Sequence, residues 1–389
     1  MHADHDHREP GPAPRAAGLR QRVNRYAMVA GFFMLLLLPT LFFGHPGAAD
    51  QALRENRRLT EFPRASLFFF QRLEKWYTDH FGGRATLIYY GARWQMDWIG
   101  LPGNRNVVLG RDNWLFYDQH YKPGQALFAD FRGKTRFSDG QLQRIRDNLL
   151  RTQRALTACG IGFYLVMPPD KQTIYSDKLP FSRPSHTQTR ADQLFDTLRT
   201  APELRAMDLR PVLQAARQAE ALPLYLKTDT HWNALGAYYG VQALLRSMDT
   251  AGRPRAPATP RQAYEIASAP FAGGDIGVSL LSLPNYFDDA QISMTLPGDT
   301  SEALDAAQRR YRNPARTGRL LLYGDSFSEL MLPFLAQHFG EVTGLPRAQI
   351  DAQDLQDHRP DVVVLEVLER LLAALEAGPL NLSNCPAAR

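Results

Sequence analysis

Residues 319–340 read RLLLYGDSFSELMLPFLAQHFG, and the fold follows from how this stretch breaks. Leu320–Tyr323 is an apolar run too short to cross a membrane and of the composition of a buried strand. Gly324-Asp325-Ser326 interrupts it. Beyond the break, Leu330, Met331, Phe334 and Leu335 fall on one face of a helical pattern. Strand, sharp turn and helix together expose a hydroxyl at the strand's carboxyl end. The helix then aims its unpaired N–H groups at any oxyanion formed there. Ser326 is therefore a candidate nucleophile that needs a base from elsewhere in the chain, and Asp325 is expected to shape the turn.

Outward from this stretch, other segments read as buried strands alternating with helices. Ile161–Met167 (IGFYLVM) and Asp361–Val367 (DVVVLEV) are continuous apolar runs, and shorter strands are expected near 207 and 341. Helices are expected over Gln141–Cys159, in two stretches within Thr189–Ala216, from Asn233 as N-cap through Leu245, and over Leu368–Glu376. Val107–Tyr117 reads as a hairpin turning at Gly110–Asn113, and residues 250–270 as surface loop. This alternation predicts an α/β domain with a parallel sheet covered by helices on both faces. Asp170 and Lys171 follow a strand at its carboxyl end, where they fit either a ligand contact or an exposed turn.

The N-terminal quarter is of another kind. Residues 1–25 form a polar, Pro-rich tail, in which His2, His5 and His7 read as part of a mobile segment and not as a metal site. Tyr26–Gly44 is an uncharged apolar run preceded by Arg20, Arg22 and Arg25, the pattern of a signal anchor with a cytoplasmic N-terminus. A cleavable signal peptide is the alternative. The body then spans 51–377, with a C-terminal tail over 378–389. Helices are expected over Leu67–Phe81 and Ala85–Ile99, with Trp94 and Trp98 in the core. Asp79 and His80 are adjacent on a helix and diverge. The net charge of +5 is small and much of the Arg excess lies near the N-terminus, which argues against nucleic-acid binding. Cys159 and Cys385 are the only cysteines; in an exported protein they either pair or stay as two buried thiols. No metal or cofactor motif is evident.

The base for Ser326 is best sought in Thr228-Asp229-Thr230-His231-Trp232. Acyl transfer needs an imidazole to accept the hydroxyl proton and a carboxylate to orient that imidazole. Asp229 and His231, two residues apart, can converge if the loop bends. GDSFS at 324–328 resembles the first block of the SGNH hydrolase superfamily, but here DTHW precedes it, a permuted order. With ENR at 55–57, DHFGGR at 79–84, GRDNWLFY at 110–117, PPDKQTIYSDKLP at 168–180 and GGDIG at 273–277, the chain resembles the AlgX/AlgJ family of periplasmic polysaccharide O-acetyltransferases.

The resemblance implies a triad of Ser326, His231 and Asp229, with Ser326 passing acetyl to a sugar hydroxyl. The Ser326 amide would serve the oxyanion hole. Gly273 and Gly274 are further candidates, beside a plain tight-turn role, as is Arg370 in Glu366–Arg370 (EVLER). Trp232 would either cover the site or lie in the core. The implied partners are an alginate-like or cellulose-like exopolysaccharide and a multipass membrane O-acyltransferase of MBOAT type that supplies acetyl across the inner membrane. No carbohydrate-binding module is read after the α/β body, which places the chain nearer to AlgJ-type members. A glycan acetylesterase with the same triad, or a non-catalytic glycan-binding assembly protein, are the alternatives.

Overall fold

A computed structural model describes residues 15–41, 59–118, 127–182, 188–249, 258–305 and 309–377. By contacts the chain divides into two units, Met1–Arg93 and Trp94–Arg389, a boundary inside the 51–377 span read from sequence as one domain.

The first unit contains helices Arg15–Leu41 and Phe69–His80. Among the described residues no helix is long and apolar enough to cross a membrane, and the anchor expected over 26–44 runs beyond them. Asp79 accepts hydrogen bonds from the Thr60 N–H and hydroxyl at 2.9 and 2.7 Å, while His80 Nδ1 lies 2.8 Å from the Trp76 carbonyl. The two side chains thus diverge as adjacent helical positions must. The helix Arg84–Trp94 continues into a π turn at Gln95–Ile99. Trp94 and Trp98 are exposed, at 59 and 80 %, against the expectation that they are core.

The second unit is built on a seven-stranded sheet whose strands we number in chain order: β1 Gly162–Met167, β2 Ala206–Asp208, β3 Glu302–Asp305, β4 Arg310–Arg312, β5 Arg319–Tyr323, β6 Glu341–Leu345 and β7 Val362–Glu366. Their spatial order is β2-β1-β7-β5-β6-β4-β3. The first five are parallel; β4 runs antiparallel to β6, and β3 antiparallel to β4. The sheet is therefore mixed, not purely parallel. Its antiparallel extension escaped the sequence because Glu302–Asp305, at the edge, and Arg310–Arg312, next to it, are short, largely exposed strands without an apolar run.

Residues alternate across β1, β5 and β7 into two cores. Tyr164, Val166, Leu320, Leu322, Val362 and Val364 pack with Leu235, Val241 and Leu244 of the helix Ala234–Asp249. Phe163, Leu165, Leu321, Tyr323, Val363 and Leu365 pack on the other face with Ile145, Leu149 and Leu156 of the helix Asp139–Ala158. A strand that feeds both faces must be apolar throughout, which is why these three were legible as continuous runs. The flanking helices begin at side-chain caps, of which Asn233 was expected. Ser138 and Gln141 form a capping box, and Asn233 Oδ1 accepts the N–H groups of Leu235 and Gly236 at 2.9 and 3.2 Å.

The hairpin pairs Val107–Leu109 with Leu115–Tyr117, closed by Asp112 and Asn113 at positive φ. Part of the expected loop 250–270 is instead a strand, Glu265–Pro270, paired with Ala290–Thr295 in a mostly exposed two-stranded ribbon. Exposure on both faces removes the apolar alternation that would have marked it. Cys159 is not a free thiol; its expected partner Cys385 lies outside the described residues, as does the tail 378–389.

Candidate active site

Ser326 stands at the carboxyl end of β5, after the Gly324-Asp325 turn. The turn is tight because β7 presses on it: a Cβ on Gly324 would lie 2.5 Å from Glu366 Oε2. Asp325 caps the next turn, its Oδ1 accepting the Phe327 N–H at 2.8 Å, while its own N–H donates to Glu366 Oε2 at 3.0 Å. From Ser326 onward the backbone departs from the sustained helix expected. Ser326–Met331 is a 3-10 segment, and a short α-helix, Leu332–Ala336, starts with Pro333 in its first turn. A helix dipole therefore contributes little at Ser326, and the Asp325 carboxylate caps the Phe327 amide, not that of Ser326.

Asp229 and His231 lie on a loop pinched at its base by a bridge between Tyr225 and Trp232. The loop brings both side chains to Ser326. His231 Nε2 is 2.6 Å from Ser326 Oγ, and His231 Nδ1 is 2.5 Å from Asp229 Oδ1. Asp229 is further fixed by the His231 backbone N–H on Oδ1 at 2.9 Å and the Asp275 N–H on Oδ2 at 2.8 Å. With Nδ1–H donating to Asp229, the Nε2 lone pair faces the serine hydroxyl, the tautomer a general base requires.

The electrostatics suit that role. Burial pulls the His231 pKa down, but the hydrogen bond and charge of Asp229, with Asp275 adding, outweigh it, and the net shift is above 6.5. Burial pushes Asp229 up, yet its hydrogen bonds and the His231 charge hold it well below the usual carboxylate range. Asp275 is raised, by burial first and then by the Asp229 charge. Its carboxylate accepts the Thr230 N–H and hydroxyl at 2.7 and 2.5 Å, and its Oδ2 lies 3.8 Å from His231 Nδ1.

Ligand atoms of Asp229, His231 and Asp275 lie within 4.8 Å of one another, close enough for a metal ion. In this structure the same atoms are engaged with one another and with Thr230: Asp229 orients the imidazole at Nδ1, and Asp275 accepts from the Thr230 N–H and hydroxyl.

The remaining sequence candidates separate. The Gly274 N–H is taken by Thr228 Oγ1 at 3.1 Å and is not a free oxyanion donor. The glycine is there because Asp229 packs on it: a Cβ would fall 2.0 Å from Asp229 Oδ2. Gly273, at φ 119, makes the bend that precedes it. Trp232 is fully buried and donates from Nε1 to the Phe327 carbonyl at 3.0 Å, so it supports the nucleophile turn from below. Arg370 reaches the site: its guanidinium lies 5.6 Å from the centre of the Phe327 ring, and it pairs with the buried Asp170. Asp170 and Lys171 do not form an exposed turn; both are 3 % exposed. Lys171 holds the Asp229 loop from behind, through that loop's carbonyl groups.

Asp275 and Asp289 were missed as members of the site, and the EVLER segment pointed to Arg370 without showing that Glu366 holds the Asp325 amide. GGDIG was visible as a turn, but nothing in it announced that its aspartate would buttress Thr230. Asp289, which accepts the Lys227 and Thr228 N–H groups at 3.1 and 2.8 Å, sits 61 positions from Thr228 in a segment without a motif.

A family model described as the SGNH hydrolase-like domain of acetyltransferase AlgX matches residues 107–345. The chain is 25 % identical over 226 residues to a probable alginate O-acetylase AlgJ from Pseudomonas fluorescens, covering 56 % of this chain and 51 % of that protein. To the AlgJ of Pseudomonas putida it is 32 % identical over 162 residues, 38 % of this chain and 34 % of the relative. The chain thus matches between about a third and a half of the length of these curated relatives. Among solved structures, Bacillus cereus PatB1 superposes with a TM-score of 0.51 at 19 % identity, over 68 % of this chain and 96 % of that one, a likeness of fold.

Proposed function

Because the chain belongs to the AlgX-type SGNH hydrolase-like acetyltransferase family, we propose that it moves acetyl from a donor to hydroxyls of an exopolysaccharide through a covalent ester on Ser326. The observation that carries this reading is the hydrogen-bonded line Asp229–His231–Ser326, with its 2.5 and 2.6 Å contacts.

In the first half, Ser326 Oγ attacks the acetyl carbonyl carbon as His231 Nε2 takes the hydroxyl proton. The carbonyl π pair moves to oxygen, facing the Ser326 amide, with the Arg370 guanidinium as the cationic group nearby. The oxyanion collapses, the bond to the donor breaks, and His231 returns the proton to the leaving oxygen. In the second half a sugar hydroxyl loses its proton to His231 and attacks the acetyl-serine carbonyl. Collapse then expels Ser326, which regains the proton. Each half passes through an imidazolium that the carboxylate of Asp229 stabilises, and Asp275 adds charge on the same side.

From the apolar run Tyr26–Gly44 and the Arg residues before it we place the body in the periplasm, held at the inner membrane, so that acetyl must be delivered to it from the cytosolic side. A multipass O-acyltransferase of MBOAT type would deliver acetyl, and an alginate-like or cellulose-like polymer would accept it.

Incubating the full chain with an activated acetyl ester, with and without oligosaccharide, tests the reading. Acetylated sugar at the expense of free acetate is expected. Acetate release that no acceptor concentration diverts would assign the site to an esterase instead.

A further inference from the structure

The loop carrying Asp229 and His231 turns its carbonyl groups inward on a single cation. Lys171, 3 % exposed, donates from Nζ to the carbonyls of Leu226 at 3.2 Å, Lys227 at 3.0 Å and Asp229 at 2.5 Å. The remaining carbonyl of this run, that of Thr228, accepts the Ile276 and Gly277 N–H groups at 3.2 and 2.9 Å. An ammonium has three N–H bonds, and here each has an acceptor in the loop. The rings of Trp114 and Phe116 close the other side, their centres 5.7 and 5.3 Å from Nζ.

Three carbonyl dipoles converging on one point repel one another unless a cation occupies it, and burying them without a donor is costly. The conformation of residues 226–229 therefore depends on the ammonium. That same backbone sets the position of Asp229, hence the ring plane of His231 and the reach of Nε2 toward Ser326. We propose that Lys171 is a positioning residue for acyl transfer, holding the Asp229 loop in the one conformation that aligns His231 with Ser326. This rests on the reading of Asp229, His231 and Ser326 as the reacting groups.

The charges facing Lys171 are the carboxylates of Asp229, Asp275 and Asp289, which favour the ammonium. Burial outweighs them and brings its pKa down to about 8. A neutral amine offers two N–H groups for three carbonyls, so the clamp loosens as pH rises through that value.

The test uses the full chain and p-nitrophenyl acetate as probe, with Lys171→Ala and Lys171→Met variants. A misplaced base lowers kcat on the order of a hundredfold while leaving ester KM nearly unchanged. Methylammonium or ethylammonium should restore kcat in Lys171→Ala, where a cavity is open, and not in Lys171→Met, where it is filled. Wild type should show a kcat limb descending above pH 8, and the Met variant should lack it. If neither variant folds, the wild-type profile decides: a flat kcat from pH 7 to 10 overturns the inference. So does wild-type kcat in Lys171→Ala, or a folded, impaired Ala variant that no alkylammonium improves. Equal turnover by wild type and Ser326→Ala would instead overturn the reading of the site, and this inference with it.

Discussion

Replacing Asp229 with Asn changes one atom and removes every arrangement that serves His231. Asp229 Oδ1 accepts both the Nδ1–H and the backbone N–H of His231, while Oδ2 accepts the Asp275 N–H. All three partners are donors, and an asparagine amide can offer only one acceptor oxygen. If its NH2 faces Asp275, two donors collide across a contact now 2.8 Å long. If it faces His231, the imidazole must accept at Nδ1, which places the proton on Nε2 and leaves no lone pair for Ser326. In a serine–histidine–aspartate relay the wrong tautomer costs about 10⁴ in kcat, or about 5.5 kcal/mol of transition-state stabilisation. The assay is steady-state turnover of p-nitrophenyl acetate by wild type and variant, with circular dichroism and Tm to establish that both are folded. The loss should fall in kcat, since the carboxylate does not touch the ester. A folded Asp229→Asn variant within tenfold of wild-type kcat would refute the assignment of Asp229 as the orienting carboxylate.

Three further outcomes rest on the same geometry. The acylation rate should rise with pH along a limb centred above 6.5, because His231 must be neutral to accept the proton and its pKa is raised; a kcat/KM profile measures this, and a limb below 6.5 would contradict it. Gly274→Ala puts a methyl group onto Asp229 and should cost about 1–3 kcal/mol in stability as an overpacked site, with a loss of turnover that Gly91→Ala, in open space on a helix, does not share. Glu366 is held far above 4.5 by burial and then by the Asp325 charge. Its folded form therefore binds a proton that the unfolded form releases, and stability falls as pH rises from about 4.5 through the folded pKa. Glu366→Gln should flatten that decline in a Tm–pH series, and an unchanged slope would show that Glu366 is not protonated.

The parts of the molecule legible in the sequence are those in which one local rule dominates. Strands β1, β5 and β7 feed both cores, so their apolar runs stand out, and the cap at Asn233 marks a helix start by side-chain chemistry alone. Ser326, Asp229 and His231 were legible because a glycine-bounded turn and an Asp-x-His spacing are local signals. The remainder depends on distance in the chain. Asp275 meets Thr230 across 45 positions and Lys171 meets Asp229 across 58, and neither pairing leaves a periodic trace. The antiparallel strands β3 and β4 sit on an exposed edge where polar residues are tolerated. Trp94 and Trp98 read as core because tryptophan is mostly buried, a one-way rule that exposed apolar side chains do not obey.

The central claim is that Ser326 carries the acetyl group between donor and acceptor. Acid quenching of the full chain during turnover of an activated acetyl ester, followed by peptide mapping in the mass spectrometer, tests it most directly. One acetyl adduct is expected, on the peptide containing Gly324–Ser328 and localised to Ser326. It should disappear when oligosaccharide is added and accumulate only slowly in Asp229→Asn. An adduct localised to any other side chain, or turnover that persists in Ser326→Ala, would contradict the claim.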